Sequence, residues 1–224
     1  MQDRRNSTAN VTYDDLREWL AIAERMGEVR HVKGADWQEQ IGLAAEAVLR
    51  HDDGPCVVFD EVQGSPKGFR LLMNVFAGKR RNMTFGLPDG LEKWEMSDAY
   101  RVAYLEKPTQ VKHEIVATGP IFENVMEGED IDLYRFPAPV WHPNDGGRYI
   151  GTGTYSITRD PEENWLNAGA YRAQVHTKNT VGISMALGHH GTMHRQKYWD
   201  KGEACPIVMI LGGDPLHFFA GGTE

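Results

Sequence analysis

The segment "GAYRAQVHTKNTVGIS", residues 169–184, constrains the fold more than any other stretch of this chain. Tyr171, Ala173 and Val175 fall on one face of an extended strand, and Arg172, Gln174 and His176 on the other. Lys178 and Asn179 supply a hairpin turn, after which "TVGISMALG" returns as the partner strand. The apolar face must cover a core. The polar face must open to solvent or to a cavity.

The flanking sequence fits an antiparallel sheet or barrel with one helix. "TYSITRD" reads as a strand with "DPEENW" as its turn, "TMHRQKYWDKG" as a helix and "ACPIVMILGG" as a strand whose "PIVMIL" run is buried. "LGGDPLHFFAGGTE" offers no closing helix or strand. The first half has a different texture. A helix is expected over residues 13–26, with Thr12 as N-cap and Asp15 at the capping-box position, and Gly27 ends it. A second helix is expected over residues 37–50. "EVRHV", "CVVFDEV" and "GFRLLMNVF" read as strands, and a short helix covers residues 91–100. This alternation predicts a small α/β domain. "GKRRNMTFGLPDG" reads as a loop whose Lys79-Arg80-Arg81 run is a solvated face. The domain change is placed near residues 108–120, giving 1–115 and 116–224.

The chain carries 24 cationic and 32 acidic side chains, a net charge of −8, which argues against the basic face of a nucleic-acid binder. Cys56 and Cys205 are too few and too far apart for a disulfide scaffold. With no signal-peptide pattern and no run of membrane-spanning length, a cytoplasmic setting is expected.

Chemistry-bearing residues gather in "NWLNAGAYRAQVHTKNTVGISMALGHHGTMH", residues 164–194. Three readings compete: a phosphate and metal site, a zinc site, or a polar surface. "HHGTMH" lacks the glutamate of a zinc-protease motif, and Gly191 interrupts any helix there. "GGRYIGTG" and "LGGDP" match neither a Walker loop nor a dinucleotide fingerprint and read as tight turns. Arg172 offers a planar fork suited to a carboxylate or phosphate. Asn167 offers an amide oxygen, and His190 a nitrogen, to one cation.

"TGTYSITRDPEENWLNAGAYRAQV", "GHHGTMHRQKYW" and "CPIVMILGGDP", taken in order, resemble the UbiD-type reversible decarboxylases. The resemblance spans most of the chain and is strongest over residues 136–215. It implies an amino-terminal α/β domain followed by part of a split β-barrel of flavin-reductase type, within a longer protein of which this is the amino-terminal portion. It also implies reversible, non-oxidative decarboxylation of an aromatic, heteroaromatic or α,β-unsaturated acid, through the ylide of prenylated flavin mononucleotide. The cofactor would come from a flavin prenyltransferase. The alternative is a noncatalytic cofactor-binding or assembly subunit of a split decarboxylase.

By the same resemblance, Asn167 and His190 would hold a divalent cation, commonly manganese, that grips the cofactor phosphate. A third ligand, a glutamate, is expected beyond Glu224. Arg172 matches the catalytic arginine, whose two glutamate partners also lie beyond this chain. His189 would face the cofactor, and Tyr155, Ile157 and Ala170 would line its pocket. Backbone carbonyls near Leu166 and from Phe218 to Gly221 would hold potassium. A homo-oligomer, or pairing with a carboxyl-terminal partner, is expected, with no nucleic acid and no membrane.

Overall fold

The structure is a computed structural model that describes residues 9–106 and 113–223. The first half is built around a sheet in the order β1 (Val29–Lys33), β2 (Cys56–Asp60), β3 (Leu71–Met73). β1 and β2 run parallel, joined through helix α2 (Gln40–Leu49), and β3 is antiparallel to β2. β2 is buried along nearly its whole length because both its faces are covered. Cys56 and Val58 meet Trp19, Leu20 and Ala23 of helix α1 (Leu16–Arg25). Val57 and Phe59 meet Ile41 and Ala45 of α2. Burial raises the Cys56 thiol to about 12, so it behaves as a small core residue.

α1 starts later than expected. Asp15 is its N-cap, accepting from the Arg17 and Glu18 amides, and Thr12 plays no such part. The reason is Tyr13, which is drawn into the core with its hydroxyl donating to the Thr84 carbonyl at 2.9 Å. α2 is likewise shorter, because Asp36 accepts from the amides of residues 38 to 40 and holds that stretch as a turn. The run expected as a solvated loop is helix α3 (Gly78–Thr84), and its Arg80 is fully buried. Helix α4 (Lys93–Tyr100) follows, extended by one wider turn, Arg101–Leu105. "VKHEIVATG", residues 111–119, reads from sequence as a strand or a linker edge; residues 113–119 form no strand, and residues 111–112 lie outside the described residues.

The second half contains two antiparallel three-stranded sheets. One has the order β4 (Tyr149–Gly151), β7 (Arg172–Thr177), β8 (Thr180–Ser184). The other has β6 (Leu166–Gly169), β5 (Tyr155–Arg159), β9 (Ile207–Ile210). The β7–β8 hairpin turns at Lys178-Asn179, with Ala173 and Val175 buried and Arg172 and His176 exposed, as the alternation predicts. β9 is not the buried strand expected from its composition. Val208 is 60% exposed, on a face of its sheet that the last helix, Pro215–Ala220, covers only at the Tyr155 end.

Helix α5 (His190–Asp200) lies on the other face. It passes through Gly191, so that glycine sits within the first helical turn instead of preventing one. The chain also closes with a helix where none was expected, α6 (Pro215–Ala220), capped by Asp214. Its Leu216 and Phe219 return to the first half and pack against Phe85, Tyr100 and Tyr104.

Candidate functional site

Register within the second sheet decides which predicted residues share a face. Thr158 pairs with Asn167, and Ile157 with Ala168 and Val208. Asn167 therefore points to the α5 side, whereas Tyr155 and Ile157 point to the opposite side. The structure thus divides the expected cofactor residues between two faces.

On the α5 side, one hydroxyl joins three elements. Asn167 Nδ2 donates to Tyr171 Oη at 3.2 Å, and the Gly191 amide donates to the same oxygen at 3.1 Å. The amide of β6 and the first turn of α5 are therefore held together by the residue that leads into β7. His190 opens α5 beside this junction, its ring edge-on to Trp165 at 5.1 Å. His189 caps the helix from an exposed position, 6.2 Å from the Tyr171 ring. Neither Asn167 Oδ1 nor the His190 ring meets a hydrogen-bond partner among the described residues. An amide oxygen and an imidazole nitrogen left unengaged on two elements that Tyr171 joins are donor types that suit a divalent cation.

His194 shares the Trp165-facing side of α5 with His190 but is buried, not exposed. Its Nδ1 meets Thr158 Oγ1 at 3.0 Å, and its Nε2 lies 3.7 Å from Asp160, beyond hydrogen-bonding range. Burial lowers its pKa against the pull of Asp160. Asp160 is pinned by Lys197 at 2.7 Å and by the Glu162 and Glu163 amides, which hold its carboxyl well below the usual carboxylate range. This seam locks α5 onto the β5–β6 turn. Among the described residues, no three His, Cys, Asp or Glu side chains converge as a metal site. Glu224 lies outside those residues.

Arg172 turns the other way. It is exposed, forms no ion pair among the described residues, and lines a cleft of about 1070 Å³ between the first sheet and the β4–β5 segment. Thr152, Gly153 and Thr154 line the cleft beside it, and Thr154 Oγ1 is buried without a partner. Thr152 and Gly153 lie in the "GGRYIGTG" run that read as a tight turn, and Thr154 follows it. Tyr155 packs near α6, its hydroxyl 3.5 Å from His217 Nδ1, and burial together with Asp214 raises its pKa. The Ala170 amide donates to the Gly221 carbonyl at 2.7 Å, so one expected potassium ligand already accepts a protein hydrogen bond.

Models of the 3-octaprenyl-4-hydroxybenzoate carboxy-lyase (UbiD) match the chain twice. The N-terminal domain matches residues 20–99, and the Rift-related domain matches residues 113–224. The chain belongs to the UbiD family.

A phenolic acid decarboxylase from a Streptomyces species is 32% identical to this UbiD chain over 215 residues, which cover 92% of the chain and 44% of that relative. The vanillic acid decarboxylase of Sedimentibacter hydroxybenzoicus, in its open form, superimposes with a TM-score of 0.83 at 26% identity, covering 96% of the chain and 45% of its own. An evolved dimeric form of the UbiD-class enzyme HmfF from Pelotomaculum thermopropionicum, in complex with prFMN, gives a TM-score of 0.74 at 25% identity, covering 91% and 45%. The chain therefore spans less than half the length of each of these relatives. Its mixed α/β architecture with unclosed sheets matches part of the split-barrel UbiD fold. Among the described residues, no helix is long and apolar enough to cross a membrane.

Proposed function

We propose that this UbiD chain is the cofactor-binding portion of a reversible, non-oxidative decarboxylase of aromatic, heteroaromatic or α,β-unsaturated acids. One observation carries the reading. Tyr171 brings Asn167 to the first turn of α5, while its neighbour Arg172 presents to a large cleft a guanidinium with no ion pair among the described residues. A hard-cation donor pair and a carboxylate fork thus lie on opposite sides of one strand start.

Asn167 and His190 would hold a divalent cation, manganese in this proposal, that anchors the phosphate of prenylated flavin mononucleotide. The residues fit that task, since both groups are unengaged and one is a hard oxygen. The bound cofactor would supply the electron sink that decarboxylation requires. Arg172 would grip the substrate carboxylate through its planar fork and fix its orientation. His189 would lie against the cofactor. Tyr155 and Ile157 lie on the face of the β6–β5–β9 sheet away from α5, Ala170 follows β6, and in this reading they contribute from that far side. Potassium would bind carbonyls near Leu166 and residues 218–221.

We further take residues 1–115 as an α/β domain and 116–224 as the first part of the barrel. The cofactor would come from a flavin prenyltransferase, the setting would be cytoplasmic, and the protein would assemble as a homo-oligomer or with a carboxyl-terminal partner. The test is native mass spectrometry of the full-length protein coexpressed with a flavin prenyltransferase. The expected mass increment is prenylated flavin mononucleotide plus a divalent ion, absent in Asn167→Ala and His190→Ala. An apo mass in the unmutated protein would overturn the reading.

A further inference from the structure

We propose that Tyr171 is a positioning residue that sets which end of the Asn167 amide faces the cation. This inference rests on the metal reading given above and deepens it.

A carboxamide presents a cation-binding oxygen on one side and a cation-repelling NH2 on the other. Asn167 is nine-tenths buried, so its amide cannot reorient freely in solvent. Its NH2 is taken up by Tyr171 Oη at 3.2 Å, which turns Oδ1 away from the tyrosine. The Gly191 amide fills the second lone pair of the same hydroxyl at 3.1 Å. With both lone pairs engaged by N–H donors, the hydroxyl defines the amide's sense and ties it to the turn that carries His190.

The ring's place is fixed from both sides by glycine. A Cβ at Gly169 would stand 2.5 Å from the ring, and one at Gly191 would stand 2.6 Å from the hydroxyl. Two elements therefore forgo side chains to admit this one. That arrangement is costly if Tyr171 serves only as apolar filling, since phenylalanine would fill the same space.

The argument has a chemical test, because a carboxylate has two equivalent oxygens and needs no orienting partner. In the full-length protein loaded with FMN, Mn2+ is titrated and followed by its electron paramagnetic resonance signal. Tyr171→Phe is expected to weaken Mn2+ binding by about 10–100-fold, the range for losing an outer partner of a ligand. Asn167→Asp in the Tyr171→Phe background is expected to restore binding to the level of Asn167→Asp alone. If Tyr171→Phe binds Mn2+ like the parent protein, the inference fails while the metal site stands. If it binds weakly and aspartate does not rescue it, the tyrosine acts through packing and the orienting role is overturned. If the parent's Mn2+ binding is insensitive to Asn167→Ala and His190→Ala, the metal reading itself falls, and this inference with it.

Discussion

Arg80 Nη1 donates to Glu28 Oε2 at 2.6 Å from a fully buried position, spanning 52 residues of sequence. The guanidinium also donates to the Gly54 carbonyl at 2.6 Å and to the Asn74 carbonyl at 3.1 Å. It thereby ties α3 to the loops at one end of the first sheet, before β1 and β2 and after β3. Burial lowers its pKa against the pull of Cys56 and Glu28, yet arginine remains charged under all ordinary conditions. Arg80→Ala would leave Glu28 Oε2 and the Asn74 carbonyl without their donor, and the Gly54 carbonyl with only Asn74 Nδ2. The expected loss is about 3 kcal/mol, the lower end for breaking a buried pair, because Glu28 is partly solvated. Arg80→Lys should recover little, since a single ammonium cannot reach three acceptors with fork geometry. Denaturant unfolding of the three proteins checks both statements: a parent-like midpoint for Arg80→Ala would refute the first, and a parent-like midpoint for Arg80→Lys the second.

This arginine also marks a limit of reading composition. Lys79-Arg80-Arg81 has the same appearance whether solvated or buried, and the residue that decides the matter, Glu28, lies far away in sequence. The β7–β8 hairpin was legible because its period is local, and a two-residue turn fixes its register. Asn167, Arg172 and His190 were legible as chemistry, since each residue type has a narrow range of uses. Their faces were not all legible. Tyr155 and Ile157 were placed at the cofactor with Asn167 by the family resemblance, and only the pairing of Thr158 with Asn167 shows that they look the other way. Tyr171 was assigned to the core by alternation, and it is buried as expected. Its polar task was hidden because the partners at residues 167 and 191 come from two other elements.

Arg172 is expected to matter to turnover and not to assembly of the cofactor site. It is exposed in the cleft and pairs with nothing among the described residues, so its removal leaves no buried orphan. Arg172→Ala in the full-length enzyme should lower decarboxylation by at least ~10²-fold, the scale of losing an oriented electrostatic partner. Flavin content should change little. Steady-state kinetics beside flavin absorbance make the comparison, and near-normal turnover would remove the arginine from the reaction.

Gly169 is predicted to be intolerant of any side chain. The added Cβ in Gly169→Ala would meet the Tyr171 ring at 2.5 Å, and the ring's retreat is limited by the Gly191 amide, which holds its hydroxyl at 3.1 Å. Overpacking of this kind costs about 1–3 kcal/mol. The double variant Gly169→Ala/Tyr171→Leu should be less destabilised than the sum of its single changes, since the shortened side chain makes room. Additive unfolding free energies would show that the clash is relieved elsewhere.

Acid should loosen the α5 seam in two separable stages. Burial depresses the His194 pKa, opposed by Asp160 and assisted by Lys197 and His190. The unfolded chain therefore takes up a proton at this residue first, near the ordinary value of about 6.5. Its stabilising contribution is complete above that pH and is lost as pH falls toward the folded value. Asp160 obeys the same sign in a lower window, because Lys197 and two backbone amides hold it ionised. Its contribution is complete above the unfolded carboxylate value of about 3.9 and is lost only well below it. His194→Gln should thus flatten the stability profile just below pH 6.5 while leaving the steep loss below pH 4. Asp160→Asn should do the converse. Melting temperatures across pH 3 to 8 separate the two, and a His194→Gln profile that parallels the parent would assign the upper stage to another group.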